Sequence, residues 1–133
     1  MKRVFVDTSV WYAYIRADDP DHKAVKASID KWAGRLLTSN FVFDEVVTLV
    51  RGRLGVAKAE RVGNTLRDPG AVDMVRVLPE DEEEAWKIFT QHKDKAYSFT
   101  DCVSFALMRR LDLETVLSTD HHFKQAGFNC EPY

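Results

Sequence analysis

The stretch that decides the fold reads Lys2-Arg3-Val4-Phe5-Val6-Asp7-Thr8-Ser9-Val10-Trp11, where a short apolar run ends on a carboxylate and a helix-like segment follows at once. In an open α/β sheet, ligands gather just beyond the carboxyl ends of the strands. Asp7 is therefore placed for chemistry. Capping the following helix is the ordinary alternative for this residue, but Thr8 and Ser9 would cap it equally well.

The bulk composition indicates a globular protein of ordinary class. The chain has 133 residues, which suits one domain over residues 1–133, with 45% hydrophobic and 30% charged residues. A net charge of −2 gives no global argument for or against nucleic acid. The N-terminal run is too short for a signal peptide and no run is long enough for a membrane span, so we expect a cytoplasmic protein. The sequence has no glycine-rich phosphate loop, which argues against ATP or dinucleotide binding.

Strand-like and helix-like segments alternate along the chain, which favours a parallel sheet covered by helices on both faces. Strands are expected at residues 4–7, 36–38, 72–78, 115–118 and 128–131. Helices are expected at residues 8–16, 20–34, from a cap at 39 or 40 to 54, 56–67, from 79 onward, and 100–111. Pro20 is expected in the first turn of the second helix, where proline is well tolerated.

Glu45 is the second candidate acid. On a helix it shares a face with Phe41 and Leu49, whereas its neighbour Asp44 shares a face with Thr48 and is expected to be solvated. A carboxylate on an apolar face is costly unless it is paired or binds a metal.

Asp101 and Asp120 complete the set. Asp101 follows Ser98 by three residues and fits a capping box, yet the helix behind it is so apolar that its start should open into a crevice. Asp120 ends an apolar strand as Asp7 does, with a turn-forming role as the alternative. Four carboxylates that converge would repel one another unless a hard cation neutralised them.

Two further groups of residues are left as alternatives. His121 and His122 share no metal-ligand spacing with the other histidines, and we expect them on the surface or in a loop. Basic residues surround the turn at Gly55, where they form either a solvated hairpin or a rim that binds phosphate or a partner: Arg51, Arg53, Lys58 and Arg61.

Taken together, these residues resemble the PIN-domain ribonucleases, and most closely the VapC toxins of prokaryotic toxin–antitoxin pairs. The resemblance covers essentially the whole chain and shows no departure from the four-acid pattern. Its motifs are Asp7-Thr8-Ser9, Glu45 in the helix after the second strand, Asp101 at the start of the apolar helix, and Thr119-Asp120-x-x-Phe123.

The resemblance implies a parallel sheet of order 3-2-1-4-5 and one acidic pocket for one or two Mg²⁺ or Mn²⁺ ions. Asp7 and Asp101 would be direct ligands, Asp120 would complete the metal shell directly or through water, and Glu45 would bind a second ion or position the attacking water. Ser9 and Thr119 would support the pocket by hydrogen bonds. A homodimer and a cognate VapB-like antitoxin are also implied.

Three alternatives remain open from the sequence. A phosphotransferase resembling haloacid dehalogenases usually has a second Asp two residues after the first, where this chain has Ser9. A phospho-accepting receiver domain would have adjacent acids before Asp7, where this chain has Lys2 and Arg3. A PIN-like RNA-binding or RNA-maturation factor with little cleavage activity is the third.

Overall fold

The sheet of the computed structural model, which describes residues 2–133, has five parallel strands in the order β3-β2-β1-β4-β5. The strands are β1 (Val4–Val6), β2 (Leu36–Ser39), β3 (Asp73–Val75), β4 (Thr115–Ser118) and β5 (Asn129–Pro132). The expected order 3-2-1-4-5 is therefore confirmed. Receiver domains have the order 2-1-3-4-5, so that alternative is wrong. Met1, which the expected domain includes, lies outside the described residues.

Seven helices connect and cover the described strands. They are α1 (Thr8–Ile15), α2 (His22–Lys31), α3 (Asn40–Leu54), α4 (Val56–Leu66), α5 (Pro79–Gln91), α6 (Phe99–Arg110) and α7 (His122–Gln125). Helices α3 and α4 pack as a hairpin across Gly55, and α5 packs against α6. The positive φ of 96° at Gly55 lets the chain reverse between the two helices of that hairpin.

Strand β1 lies at the centre of the sheet and is buried on both faces. Val4, Phe5 and Val6 each have 0% exposure. Because successive side chains of a strand point to opposite faces, this burial requires helices on both sides. Strand β1 pairs with β2 on one side and β4 on the other. The strand order therefore reverses between β1 and β4, where doubly wound folds bind ligands.

Two predicted elements are shorter in the structure than the sequence suggested. Strand β3 covers residues 73–75 rather than 72–78, because its partner β2 ends at Ser39, which pairs with Val75 and caps α3. Beyond that point the N–H of Val77 bonds to Asn40 Oδ1 instead of to a strand. Helix α2 begins at His22, after a turn in which Asp19 accepts a hydrogen bond from the backbone of Asp21, so Pro20 precedes the helix.

Helix α7 was not predicted, although it matters for the site. Its four residues are too few to show helical periodicity in the sequence. The helix is anchored by Phe123, which is 0% exposed. No helix among residues 2–133 combines the length and apolar character that crossing a membrane requires.

Candidate metal and active site

The four acids line one cavity of about 300 Å³ at the reversal point of the sheet. Asp7 directly follows β1, Glu45 lies on α3, Asp101 lies in the first turn of α6, and Asp120 follows β4. The wall is completed by Thr8, Ser9, Leu49, Ala96, Ser98 and His122. Residues that are distant in sequence thus meet because parallel strands direct their carboxyl ends to one edge.

Asp7 is the most buried of the four, with 4% exposure. Its side chain makes no capping hydrogen bond to α1. Instead its Oδ2 accepts hydrogen bonds from the hydroxyls of Ser9, at 3.0 Å, and Ser118, at 3.1 Å. Ser9 in turn accepts a bond from the backbone N–H of Thr119. Asp7 is therefore oriented by the cavity wall and does not serve as a cap.

The charge of Asp7 is strongly disfavoured. Burial, together with the neighbouring charges of Asp101 and Asp120, raises the pKa of Asp7 to about 7, and the hydrogen bond from Ser9 only partly offsets them. A carboxyl group with a pKa near neutrality in a cleft is a common sign of a functional site. A cation beside Asp7 would favour its ionised form and so lower this pKa.

Asp101 both caps α6 and lines the cavity, the two positions that the sequence allowed for it. It forms a capping box with Ser98: the backbone N–H of each residue donates to the side chain of the other, both at 3.0 Å. Its carboxylate nevertheless faces the cavity, and burial, with a contribution from Asp120, raises its pKa. The capping box fixes the carboxylate at the helix start, where it lines the cavity.

Glu45 lies on the buried side of α3, as the helical phase predicted. It is half-buried, whereas Asp44 is exposed. The hydroxyl of Thr8 donates a short hydrogen bond to Glu45 Oε1. Burial is the main reason that the pKa of Glu45 is raised. Glu45 is thus held in place from α1.

The side chain of Asp120 is held by His122, through its backbone N–H and its ring. The N–H of His122 lies 2.6 Å from Asp120 Oδ1, and the ring Nδ1 of His122 lies 3.2 Å from the same oxygen. That Nδ1 is also 2.9 Å from Asp101 Oδ2. His121 is exposed, as expected, but the surface or loop assignment of His122 is wrong because α7 turns its ring into the cavity.

The sequence interpretation also missed two supporting hydroxyls, those of Thr8 and Ser118. Thr119 contributes to the wall through its backbone N–H, and the hydroxyl that reaches Asp7 belongs to Ser118. Ser118 is the last residue of β4 and is 1% exposed. The sequence did contain a signal for Ser118, because this residue ends the predicted strand directly before the Thr119-Asp120 motif.

The residues present fit a hard divalent cation. Carboxylate oxygens are the ligands that Mg²⁺ prefers, and no Lys or Arg is among the residues that line the cavity. One group of potential ligand atoms, in Asp120, His121 and His122, lies within 4.8 Å.

The basic residues of the α3–α4 hairpin lie apart from the acids. Among them, Arg51 borders a separate groove of about 280 Å³ between the two helices, and Arg53 lies over the ring of Tyr12 at 5.7 Å. Lys58 and Arg61 line neither cavity. A further cavity, of about 390 Å³, borders the amino end of β1 and contains none of the four acids.

The chain is similar in sequence to a known protein family and to individual proteins. A family model described as PIN domain matches residues 4–129. The 23S rRNA-specific endonuclease VapC20 of Mycobacterium tuberculosis is 35% identical over 128 residues, which cover 94% of this chain and 95% of that protein. Ribonuclease VapC26 of the same organism is 33% identical over 121 residues, covering 90% and 89%.

The similarity extends to three dimensions. The crystal structure of VapC20, described as a sarcin-ricin loop cleaving toxin, matches with a TM-score of 0.89 at 34% identity. The match covers 94% of this chain and 95% of that one.

Proposed function

Because this chain belongs to the PIN-domain family, we propose that it is a VapC-like endoribonuclease that hydrolyses RNA phosphodiester bonds with one or two Mg²⁺ or Mn²⁺ ions. The observation that carries the proposal is the convergence of Asp7, Glu45, Asp101 and Asp120 on one cavity without Lys or Arg. The name of VapC20 makes a ribosomal RNA loop the first substrate to test. An RNA substrate of this kind would be met in the cytoplasm.

Each acid has a proposed task in the reaction. Asp7 and Asp101 hold the cation, and Asp120 completes its shell directly or through water. When bound, the cation lowers the pKa of a water and offsets charge on the phosphoryl oxygens. Glu45 orients the attacking water and accepts its proton at a carboxylate oxygen, for which its raised pKa is favourable. Ser9 and Thr119 keep Asp7 in position.

The test is RNA cleavage by purified, antitoxin-free protein, using pooled cellular RNA and a 23S rRNA fragment that contains the sarcin-ricin loop. Wild type should cut with Mg²⁺ or Mn²⁺ and stop in EDTA. Asp7→Asn keeps the shape of the side chain but removes one anionic ligand, so cleavage should fall by at least 10²-fold. Asp44→Asn makes the same charge change at an exposed neighbour and should cut normally.

Other outcomes separate the alternatives. Tight RNA binding without cleavage would favour the RNA-binding or RNA-maturation role. Equal cleavage by wild type and Asp7→Asn would place the activity outside this cavity or in a contaminant, and would refute the proposal.

We also propose that a cognate VapB-like antitoxin inhibits the protein by covering the acidic cavity. The relative VapC20 is described as a toxin, and a cavity with four acids and no lining Lys or Arg would accept a basic side chain. Wild-type protein expressed alone should arrest bacterial growth, and Asp7→Asn should not. Co-expression of a small DNA-binding protein encoded beside the gene should restore growth. Arrest that persists with Asp7→Asn would contradict the nuclease-toxin assignment.

A homodimer is proposed through an exposed aromatic face formed by Phe41, Trp86, Phe89 and Phe99. Trp86 is 57% exposed and stacks on Phe89 at 5.8 Å, and both rings contact Phe99 edge-on. Contiguous exposed aromatic surface of this kind is typical of protein interfaces.

The charges around this face favour a second copy as the partner. Glu82, Trp86 and Phe89 follow helical spacing along α5, and the basic residue Lys93 lies just beyond the end of that helix. A two-fold axis between Trp86 and Phe89 would pair the helices antiparallel and bring Glu82 toward the partner copy's Lys93.

The dimer is tested by measuring molar mass with light scattering during gel filtration. Trp86→Glu should convert a dimer to a monomer, whereas Val56→Glu, at a 54% exposed apolar site on α4, should not. A monomeric wild type, or a dimer that is insensitive to Trp86→Glu, would exclude this interface.

A further inference from the structure

His122 connects two of the four acids through one side chain. Its Nδ1 lies 2.9 Å from Asp101 Oδ2 and 3.2 Å from Asp120 Oδ1. Its backbone N–H also donates to Asp120 Oδ1 at 2.6 Å. His122 on α7 thereby connects Asp101, at the start of α6, with Asp120, which follows β4.

The ring of His122 is held in this orientation by its surroundings. Its side chain is 17% exposed. The ring of Tyr97 meets it edge-on at 5.7 Å with an interplanar angle of 81°. Phe123, the next residue, is fully buried and fixes α7 against the core. The imidazole is therefore preorganised and does not have to be ordered when a cation arrives.

We propose that His122 is a positioning residue whose Nδ1–H holds Asp101 and Asp120 in the arrangement that cation binding requires. This inference rests on the proposed metal dependence. Ionised carboxylates only accept hydrogen bonds, so a nitrogen that contacts two of them must carry the proton. A nitrogen that donates its proton to these oxygens cannot at the same time coordinate a metal. His122 therefore acts on the two carboxylates through Nδ1, and only its Nε2 is left for any other contact.

The two carboxylates need such a donor. Asp101 and Asp120 present their oxygens to the same Nδ1, at 2.9 and 3.2 Å. Asp101 is held by its capping box, but without His122 the side chain of Asp120 would lose the ring donor that joins it to Asp101 and would turn toward water, and cation binding would have to bring it back. Outer-shell partners of this kind typically contribute 10–100-fold to metal affinity. Loss of the donor should therefore weaken the binding of Mg²⁺ and Mn²⁺ alike.

The experiment measures Mg²⁺ and Mn²⁺ binding to the full-length, RNA-free protein by titration calorimetry. His122→Ala should weaken both ions about tenfold or more. His122→Asn places an amide N–H near the position of Nδ1 and should recover most of that loss. His92→Ala, which removes an exposed imidazole outside the cavity, should bind both ions as the wild type does. If His122→Ala does not fold, His122→Phe replaces it, and it should weaken both ions to the same extent.

Three results would overturn the inference. Unchanged affinity in His122→Ala would show that the carboxylates need no donor. Loss confined to Mn²⁺ and not recovered by His122→Asn would identify the imidazole as a direct ligand, because nitrogen ligands favour Mn²⁺ over Mg²⁺. Failure of the wild type itself to bind either ion would overturn the proposed metal dependence together with this inference. The titration of the wild type alone separates that result from the first two.

Discussion

Replacing Asp7 with Asn should stabilise the metal-free protein while it abolishes cleavage. In the folded state the pKa of Asp7 is raised from 3.8 to about 7, chiefly by burial. Three units at about 1.4 kcal/mol each amount to roughly 4 kcal/mol of ionisation cost at pH 8. Asn also lacks the negative charge that accepts the hydrogen bonds of Ser9 and Ser118, and this loss offsets about 1–2 kcal/mol of the gain. A net gain of about 2–3 kcal/mol remains, which is roughly 10 °C in Tm for a chain of this size.

The stability of Asp7→Asn relative to the wild type should increase as pH rises. Because the pKa of Asp7 is higher in the folded state, folding binds a proton between about pH 4 and 7. The wild type therefore loses stability as pH rises through that window, and Asp7→Asn does not share this loss. The variant should be about 1–2 kcal/mol less stable than the wild type near pH 4, should gain about 1.4 kcal/mol relative to it for each pH unit, and should level off above pH 7.

Urea unfolding in EDTA at pH 4, 5.5 and 8 measures this difference. Asp44→Asn provides the matched control, because it removes an exposed charge and should stay within about 0.5 kcal/mol of wild type. Added Mn²⁺ should stabilise the wild type more than Asp7→Asn and so narrow the gap. An Asp7→Asn protein that is less stable than wild type at pH 8, or whose advantage does not change with pH, would refute the reasoning.

Three other perturbations test separate parts of the structure. If the hairpin contacts RNA, the double variant Arg51→Ala with Arg61→Ala should weaken RNA binding and reduce the slope of log K against log salt concentration by about two. An equal effect of the double variant Lys23→Ala with Lys26→Ala, on α2, would show that the hairpin has no specific role in binding. Arg110→Ala should lower the free energy of unfolding, measured with urea, by about 2–3 kcal/mol. The reason is that Asp81 is only 2% exposed and would lose the guanidinium that donates to it at 2.7 Å. An unchanged free energy of unfolding would contradict this. Ser118→Ala removes a donor to Asp7, so NMR titration of that carboxyl should show its pKa moving further upward, and a downward shift would argue against the hydrogen bond.

The sequence predicted those features of the fold and site that depend on regular patterns. Strand β4 was placed at its observed bounds, residues 115–118, because an apolar run there is closed on both sides by polar residues. Helical phase separated half-buried Glu45 from exposed Asp44. The PIN-domain resemblance and the strand order it implied are confirmed.

The features that were missed depend on contacts between distant segments. The length of β3 is set by where β2 ends, and no local pattern in residues 72–78 records that. The ring of His122 enters the cavity because a single helical turn, anchored by Phe123, rotates it there. The hydroxyl of Ser118 becomes a partner of Asp7 only through the pairing of β1 with β4. These are consequences of topology, and a linear pattern of polarity does not contain them.

The local bonds of the acids explain why the cavity is both stable and receptive to a cation. Asp101 is fixed by its capping box, Glu45 by Thr8, and Asp7 by two serine hydroxyls. These bonds orient each carboxylate but supply no positive charge, so burial, with a smaller contribution from the neighbouring carboxylates, still raises the pKa of Asp7 and Asp101. Because the carboxylates are already held in place, the site needs little reorganisation when a cation binds. The positive charge of Mg²⁺ or Mn²⁺ would then offset part of the cost of ionising Asp7.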